Sequence, residues 1–254
     1  MTYYTDNAFY KYIRDENIDD FEYVSGDLWQ LVYGNSVCEP KLLVLASSTS
    51  PEKLDSNPTP KEMAAFYRLN EVARRANLSK MFIRFDASVI ELDSVMILTN
   101  EGFKKCEIDA LTKHFASKGL PVNDTRTEKD INDKSSSAYQ NWQRNHLGRD
   151  LKVSDIDLFK LDEKNQIQVI YELKRAQNGV KTWNPYEIDY NNYRLIGNLC
   201  AKAKIDFKVG YNRRVKVPFK DDLSEILTLD VTIERNNPTF SNRTYLTPNE
   251  FFGQ

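Results

Sequence analysis

The sequence predicts an α/β fold with two lobes. Short runs of β-branched and aromatic residues alternate with segments in which apolar residues recur at helical spacing. The chain has 254 residues, of which 41% are hydrophobic and 12% aromatic, so it is long enough to bury a sizeable core. Only nine residues are glycine and no Gly-rich phosphate-binding motif is present. This excludes the commonest nucleotide-binding loops.

The N-terminal lobe is predicted to span residues 1–120. Its predicted elements are a short helix at 9–15, strands at 26–34 and 41–47, a helix at 61–78, strands at 80–87 and 94–99, and a helix at 106–119. No residue pattern in this lobe points to chemistry. We expect it to serve substrate recognition, dimerisation or shielding of the other lobe.

A linker is predicted at 121–137, because this segment is polar and nearly free of large apolar residues. The C-terminal lobe is predicted to span 138–254. Its predicted elements are a helix at 138–148, strands at 153–161 and 166–174, a helix at 189–204, strands at 206–212 and 225–234, and a final helical turn capped by Thr247.

The two lobes share a sequence similarity at an offset of 126 residues. The Tyr-Arg-Leu triplet at 67–69 then aligns with the same triplet at 193–195. An ancient duplication would explain this, and chance similarity of two helix–strand units is the alternative. Under duplication the N-terminal lobe is a degenerate copy, with Ala46 and Ser48 in place of Glu172 and Lys174.

The predicted hairpin at 153–174 gathers acidic residues and a lysine. Because strand residues alternate between faces, Asp155 and Asp157 should share a face of the first strand, and Glu172 and Lys174 a face of the second. A turn centred on Lys164-Asn165 places Asp157 opposite Glu172, and a turn one residue earlier places Asp155 there. Either register pairs an aspartate with Glu172.

Adjacent carboxylates repel each other, and a hard divalent cation relieves that repulsion. Mg²⁺ prefers one or two protein carboxylates together with waters and phosphate oxygens. A lysine two residues along the strand can orient the attacking water or help to deprotonate it. The pattern therefore indicates metal-dependent phosphodiester hydrolysis. The alternative is an ordinary solvated hairpin with cross-strand ion pairs.

These residues resemble the signature of the PD-(D/E)xK nuclease superfamily, in which an Asp on one core strand is followed by Glu/Asp-x-Lys on the next. Asp157 and Glu172-Leu173-Lys174 match it, and Asp155 matches a variant with a second acid two positions earlier. The resemblance implies a restriction-endonuclease-like mixed sheet flanked by helices in the C-terminal half. It also implies Mg²⁺ or Mn²⁺ on Asp157, Glu172, Asp155 and the Leu173 carbonyl, with Lys174 positioning the water. Ser154 stands where the family has proline.

The charge distribution favours a polyanionic partner. Residues 139–220 contain 16 Lys and Arg against nine Asp and Glu, although the whole chain has a net charge of −2. Local fluctuation in a highly charged chain is the alternative. The candidate nucleic-acid contacts are Arg175, Lys181, Trp183, Arg213, Arg214 and Lys216.

The sequence thus predicts a metal-dependent endonuclease, with DNA ahead of RNA as substrate and a restriction-type or phage-defence role. The alternatives are a catalytically silent binding or structural subunit of the same fold and an RNA endonuclease. A double-strand cutter would be a homodimer. The start of the chain has no signal-peptide pattern and no segment has the apolar length of a membrane span. The three cysteines are scattered, so we expect a cytoplasmic protein.

Overall fold

A computed structural model describes residues 7–123, 125, 137–217 and 219–253. It confirms an α/β protein, with six α-helices and two six-stranded mixed sheets in the described residues. The chain divides into two compact units, the first formed by 24–155 and the second by 7–23 and 156–253. Helix α1 (Ala8–Asp15) and the short strand β1 (Phe21–Glu22) therefore belong to the second unit.

The first unit contains one sheet and three helices. In chain order its elements are β2 (Leu28–Gly34), β3 (Pro40–Thr49), α2 (Pro60–Ala76), β4 (Ser79–Asp86), β5 (Ser94–Thr99), β6 (Gly102–Glu107), α3 (Ile108–Ser117), α4 (Ala138–His146) and β7 (Lys152–Asp155). The strand order is β6-β5-β4-β3-β2-β7. Strands β3 and β4 are parallel and are joined by α2, while the other pairs are antiparallel.

Helix α2 has clear start and stop signals. Thr59 and Glu62 form a capping box, and Pro60 occupies the first turn, where its missing N–H costs nothing. The helix ends at Asn77, which adopts a left-handed conformation with φ 53°. These local signals explain why the sequence predicted this helix to within two residues at each end.

The second unit repeats this plan. Its further elements are β8 (Leu158–Leu161), β9 (Ile167–Ala176), a 3₁₀ turn (Glu187–Asp189), α5 (Tyr190–Ala203), β10 (Asp206–Lys216), β11 (Phe219–Glu234), β12 (Asn237–Leu246) and α6 (Pro248–Phe252). The strand order is β1-β8-β9-β10-β11-β12, and only β9 and β10, joined by α5, are parallel. Thr247 caps α6 through a capping box, as predicted.

The parallel ladders of the two units match residue for residue. The β3–β4 ladder begins with Leu42 opposite Ser79, and the β9–β10 ladder begins with Val169 opposite Asp206. Both ladders contain eight pairs, and both place residue i opposite residue i+37. Each position in the first ladder is thus related to one in the second by an offset of 127, one more than the sequence similarity suggested.

The preceding hairpins obey the same offset. Leu31 lies opposite Val44, and Leu158 lies opposite Tyr171. Their turns share the same backbone hydrogen bonds, and Cys38 and Asn165 both have positive φ, at 60° and 59°. Equal turns, ladders and crossover lengths support the interpretation that the first unit is a copy of the second unit's plan.

The offset of 127 changes which residues of the first unit correspond to the candidate site. Gln30, Leu45 and Ser47 occupy the positions of Asp157, Glu172 and Lys174, respectively, instead of the Ala46 and Ser48 predicted for the last two. The first unit therefore lacks all three residues of the motif.

Several sequence predictions differ from the structure. The predicted strand at 153–161 is two strands, since β7 pairs with β2 in the first sheet and β8 pairs with β9 in the second. Consequently α4 and β7 belong to the first unit and not to a lobe spanning 138–254. Strands β1, β6 and β12 were not predicted. Of the predicted linker at 121–137, only 121–123, 125 and 137 lie within the described residues.

Candidate active site

The β8–β9 hairpin brings Asp157 next to Glu172. Leu158 lies opposite Tyr171 in the terminal pair of this ladder, and Asp157 and Glu172 are the next residues along the two chain segments. This is one of the two predicted registers. It depends on the turn, in which Asp162 accepts hydrogen bonds from the backbone N–H groups of Lys164 and Gln166.

Asp157 is held on both its side chain and its backbone. Its Oδ2 accepts a 2.7 Å hydrogen bond from the backbone N–H of Leu173, and its carbonyl accepts a 2.9 Å bond from the Tyr10 hydroxyl on α1. The carboxylate therefore lies against β9 at the middle residue of the Glu172-Leu173-Lys174 motif.

Glu172 and Lys174 lie on the face of β9 that α5 covers. Glu172 is only 4% exposed. The Nζ of Lys174 lies 2.8 Å from Oε1 of Glu172 and 3.4 Å from Oδ1 of Asp189. It also lies 5.6 Å from the ring centroid of Tyr193 on α5, within the range of a cation–π contact.

The surroundings keep Lys174 protonated. Burial alone would lower the pKa of Lys174, but the Glu172 carboxylate, together with Tyr193 and Asp189, outweighs burial and raises that pKa. Lys174 is therefore an ammonium group at neutral pH. It can donate hydrogen bonds to a water or to a phosphate oxygen, and in this arrangement it does not act as a general base.

Asp155 does not join this group. It lies on β7, pairs with Leu31 of the first sheet and is exposed, whereas Asp157 lies beyond the end of that strand. The prediction that Asp155 and Asp157 share a strand face is therefore wrong. The physical reason is that β2 offers an edge with free backbone hydrogen-bonding groups, and Lys152–Asp155 pair with it. The second unit begins at the next residue, Ile156, whose side chain is buried.

The residues present fit a divalent ion of the magnesium type, although not the three-acid set that was predicted. Within the described ranges no group of three or more His, Cys, Asp or Glu is placed to hold a metal. Asp157 and Glu172 are two neighbouring carboxylates, and Mg²⁺ needs only one or two from a protein. These two would hold the ion. The Leu173 carbonyl remains a ligand implied only by the family resemblance.

Three of the six candidate nucleic-acid contacts lie in ion pairs. Arg175 and Arg214 contact the two carboxylate oxygens of Asp221, at 2.8 Å and 2.9 Å. Lys181 is exposed and lies 3.8 Å from Glu225. Arg175 and Arg214 thus brace neighbouring strands, and a phosphate would have to compete with Asp221 for them.

Trp183 is not available for stacking on a base. It is 1% exposed and packs flat on Tyr211, with ring centroids 4.2 Å apart and an interplanar angle of 5°. The structure therefore does not support the predicted nucleic-acid contact at Trp183, because this side chain is buried against Tyr211. In contrast, Arg213 and Lys216 on β10 are exposed.

Sequence reasoning missed Asp189 and Tyr193. The Tyr193 side chain is fully buried, and among the described residues its hydroxyl finds no hydrogen-bond partner. Burial is the main reason that the pKa of Tyr193 is raised, so the hydroxyl is neutral. The sequence could have identified both residues, because Asp189 is the first residue of the predicted helix and Tyr193 follows four residues later. Residues at this spacing project from the same face of a helix.

Comparison of the chain with protein-family models, with curated proteins and with solved structures finds no match. None of the helices in the described part of the chain combines the length and apolar character needed to cross a bilayer.

Proposed function

We propose that the second unit is a divalent-metal-dependent nuclease that hydrolyses phosphodiester bonds. The observation that carries this proposal is the arrangement of Asp157, Glu172 and Lys174 on one hairpin. Two carboxylates occupy adjacent positions, and a buried ammonium group lies 2.8 Å from one of them. The Leu173 N–H holds Asp157 against the strand that carries the Glu172–Lys174 ion pair, so all three side chains of the motif lie at one end of the hairpin.

The three side chains have distinct roles in this proposal. Asp157 and Glu172 hold Mg²⁺ or Mn²⁺, which when bound withdraws charge from the scissile phosphate and stabilises the leaving oxygen. Lys174 donates a hydrogen bond that orients the attacking water. The water oxygen attacks phosphorus, the bond from phosphorus to the leaving oxygen breaks, and the proton lost by the attacking water passes through bulk water to the leaving oxygen, which departs as a hydroxyl group.

We further propose that the substrate is DNA and the mode of cutting endonucleolytic, in a restriction-type or phage-defence role. The exposed cations Arg213 and Lys216 lie near the end of β10, the strand that pairs with β9, where they can contact the phosphate backbone. Cutting both strands of a duplex would need two active sites, so a double-strand cutter would act as a homodimer.

The test is cleavage of supercoiled plasmid, single-stranded DNA and RNA in Mg²⁺, Mn²⁺ or EDTA. Lys174→Ala and Asp157→Asn should abolish metal-dependent cutting. Matched controls are Lys164→Ala and Glu163→Gln, which change exposed residues in the turn of the same hairpin. Cutting that persists in Lys174→Ala and Asp157→Asn would show that another site, or a contaminating nuclease, is responsible.

A second candidate function is a catalytically silent nuclease fold that binds nucleic acid. It is favoured by the acids of the site, since no group of three or more His, Cys, Asp or Glu in the described residues is placed to hold a metal. Binding of DNA or RNA without cutting, together with a melting temperature that does not respond to Mg²⁺ or Mn²⁺, would select this function. Faster cutting of RNA than of DNA would instead identify an RNA endonuclease.

A further inference from the structure

We propose that Asp189 is a positioning residue for Lys174, so that the site of the proposed nuclease includes the start of α5. This inference rests on the proposed function. The Oδ1 of Asp189 lies 3.4 Å from Nζ of Lys174, and both side chains are mostly buried, with exposed fractions of 24% and 19%.

The position of Asp189 on α5 indicates that its carboxylate is directed to the lysine. Asp189 is the N-cap residue of α5, and aspartate there normally accepts a hydrogen bond from a backbone N–H of the first turn. In this protein its side chain makes no such bond. Its ion-pair partner is instead Lys174 on β9.

The first unit provides an independent observation. At the offset of 127, Glu62 corresponds to Asp189 and Ser47 corresponds to Lys174. The Ser47 hydroxyl donates a 2.7 Å hydrogen bond to Oε1 of Glu62. Both units therefore join an acid at the start of the crossover helix to the same position of the strand before it. The unit with the complete motif has a lysine at that position.

A lysine needs such support because its ammonium group ends a flexible four-carbon stem. With Glu172 as its only partner, the Lys174 ammonium group would be held only by its own strand, β9. Asp189 adds a carboxylate and Tyr193 adds a ring from α5, so the ammonium is held between strand and helix. An ammonium group has three N–H donors, and two carboxylates leave one for a water or a phosphate oxygen.

The test compares Asp189→Asn, Asp189→Ala and Asp189→Glu with the wild type. Glu187→Gln is the matched control, because Glu187 is an exposed acid in the same 3₁₀ turn. Circular dichroism and urea unfolding identify variants that fold. The first readout is the rate at which Lys174 is acylated by an amine-reactive reagent at one fixed pH, measured by peptide mass spectrometry. The second is kcat and KM for cleavage.

We expect Lys174 to be acylated faster in Asp189→Asn and Asp189→Ala, by about threefold or more for loss of one ion pair. We expect kcat to fall by about 10- to 100-fold, as for a misplaced catalytic group, with KM changed less than twofold. Asp189→Glu should recover part of kcat, and Glu187→Gln should match the wild type in both readouts.

Unchanged acylation of Lys174 in folded Asp189→Asn would overturn the proposal, whatever the cleavage result. Faster acylation with unchanged kcat would also overturn it, because Asp189 would then hold the lysine without helping the reaction. If the wild type cuts no substrate, the proposed nuclease function fails. In that case the positioning role fails with the nuclease function, and the acylation rates decide separately whether Asp189 pairs with Lys174 in solution.

Discussion

The Tyr193 hydroxyl is the residue-scale feature of the candidate site. Within the described part of the chain it is one of several buried polar groups that have no hydrogen-bond partner, and it is the one whose ring lies under Lys174. Burying a hydroxyl without a hydrogen bond costs free energy, and such groups concentrate where function has priority over stability. The corresponding residue of the first unit at the offset of 127 is Phe66, which has no hydroxyl and faces no lysine at position 47.

Tyr193→Phe should therefore leave the free energy of unfolding unchanged or raise it by about 1 kcal/mol, since it removes an unpaired hydroxyl and keeps the ring. Urea unfolding measures this. Tyr193→Ala, which removes the ring as well, should cost about 3–5 kcal/mol. Destabilisation by Tyr193→Phe of more than about 1 kcal/mol would mean that the hydroxyl has a partner in solution.

Glu62 is the first unit's buried acid and has a structural role. It forms an ion pair with Arg84, with Nη2 2.6 Å from Oε2, and it accepts hydrogen bonds from Ser47 and Thr59. Burial alone would raise the pKa of Glu62, but the bonds from Arg84, Thr59 and Ser47 outweigh it and lower that pKa to about 2. In the first unit, the position that corresponds to the candidate site is thus filled by an internal ion pair.

Glu62→Gln should destabilise the protein by about 3–5 kcal/mol at pH 7, because Arg84 would be left buried without its anion. The pH dependence follows from the sign of the shift. A lowered folded-state pKa contributes stability above the unfolded value of 4.5, and this contribution is lost as pH falls from there to about 2. Unfolding followed by urea between pH 7 and pH 2.5 should show the wild type losing roughly 3 kcal/mol more than Glu62→Gln.

At the scale of the secondary-structure element, the close packing of α5 on the sheet sets how near its side chains come to Glu172 and Lys174. Gly197 on α5 lies against β11, and a Cβ added there would be 2.7 Å from Cγ1 and 2.8 Å from Cδ1 of Ile233. Glycine thus lets α5 approach the sheet on the face that carries Glu172 and Lys174. The approach brings Asp189 and Tyr193, on the same helix, to the lysine.

Gly197→Ala should destabilise the protein despite the higher helix propensity of alanine. The overpacking cost of about 1–3 kcal/mol exceeds the propensity gain of about 1 kcal/mol. A double-mutant cycle with Ile233→Ala checks the cause, since the second change removes both clashing carbons. If the two effects simply add, the contact with Ile233 is not the reason for the glycine.

The whole molecule contains the same strand plan twice, with the motif in one copy only. Asp157, Glu172 and Lys174 have Gln30, Leu45 and Ser47 as counterparts. A divalent ion should therefore bind the second unit and leave the first unaffected.

Hydrogen–deuterium exchange with and without Mg²⁺ should accordingly show slower exchange in peptides covering 156–176 and no change in peptides covering 28–49. With Mg²⁺ at ten times its dissociation constant, the added stability is about 1.4 kcal/mol. Asp157→Asn should remove the effect. Equal protection of both segments would contradict a site confined to the second unit.

Local patterns predicted much of the fold and half of the site. Helix α2, helix α5 and the β9 strand lie where apolar periodicity and caps placed them, because these signals act between residues close in sequence. The pairing of Asp157 with Glu172 followed from a short turn and strict alternation. The alternation of apolar and polar residues continues through the break after Asp155, so the sequence predicted one strand where the structure has two.

The sequence by itself determined the α/β class, the hairpin and the placement of a glutamate and a lysine on one strand face, because each depends on neighbours within about twenty residues. Only the tertiary structure decided that Asp155 joins the other sheet, that Trp183 is buried on Tyr211, and that Asp189 meets Lys174. Each of these depends on which distant strand or helix supplies hydrogen bonds and packing surface. Such contacts are set by the whole fold, and local patterns do not encode them.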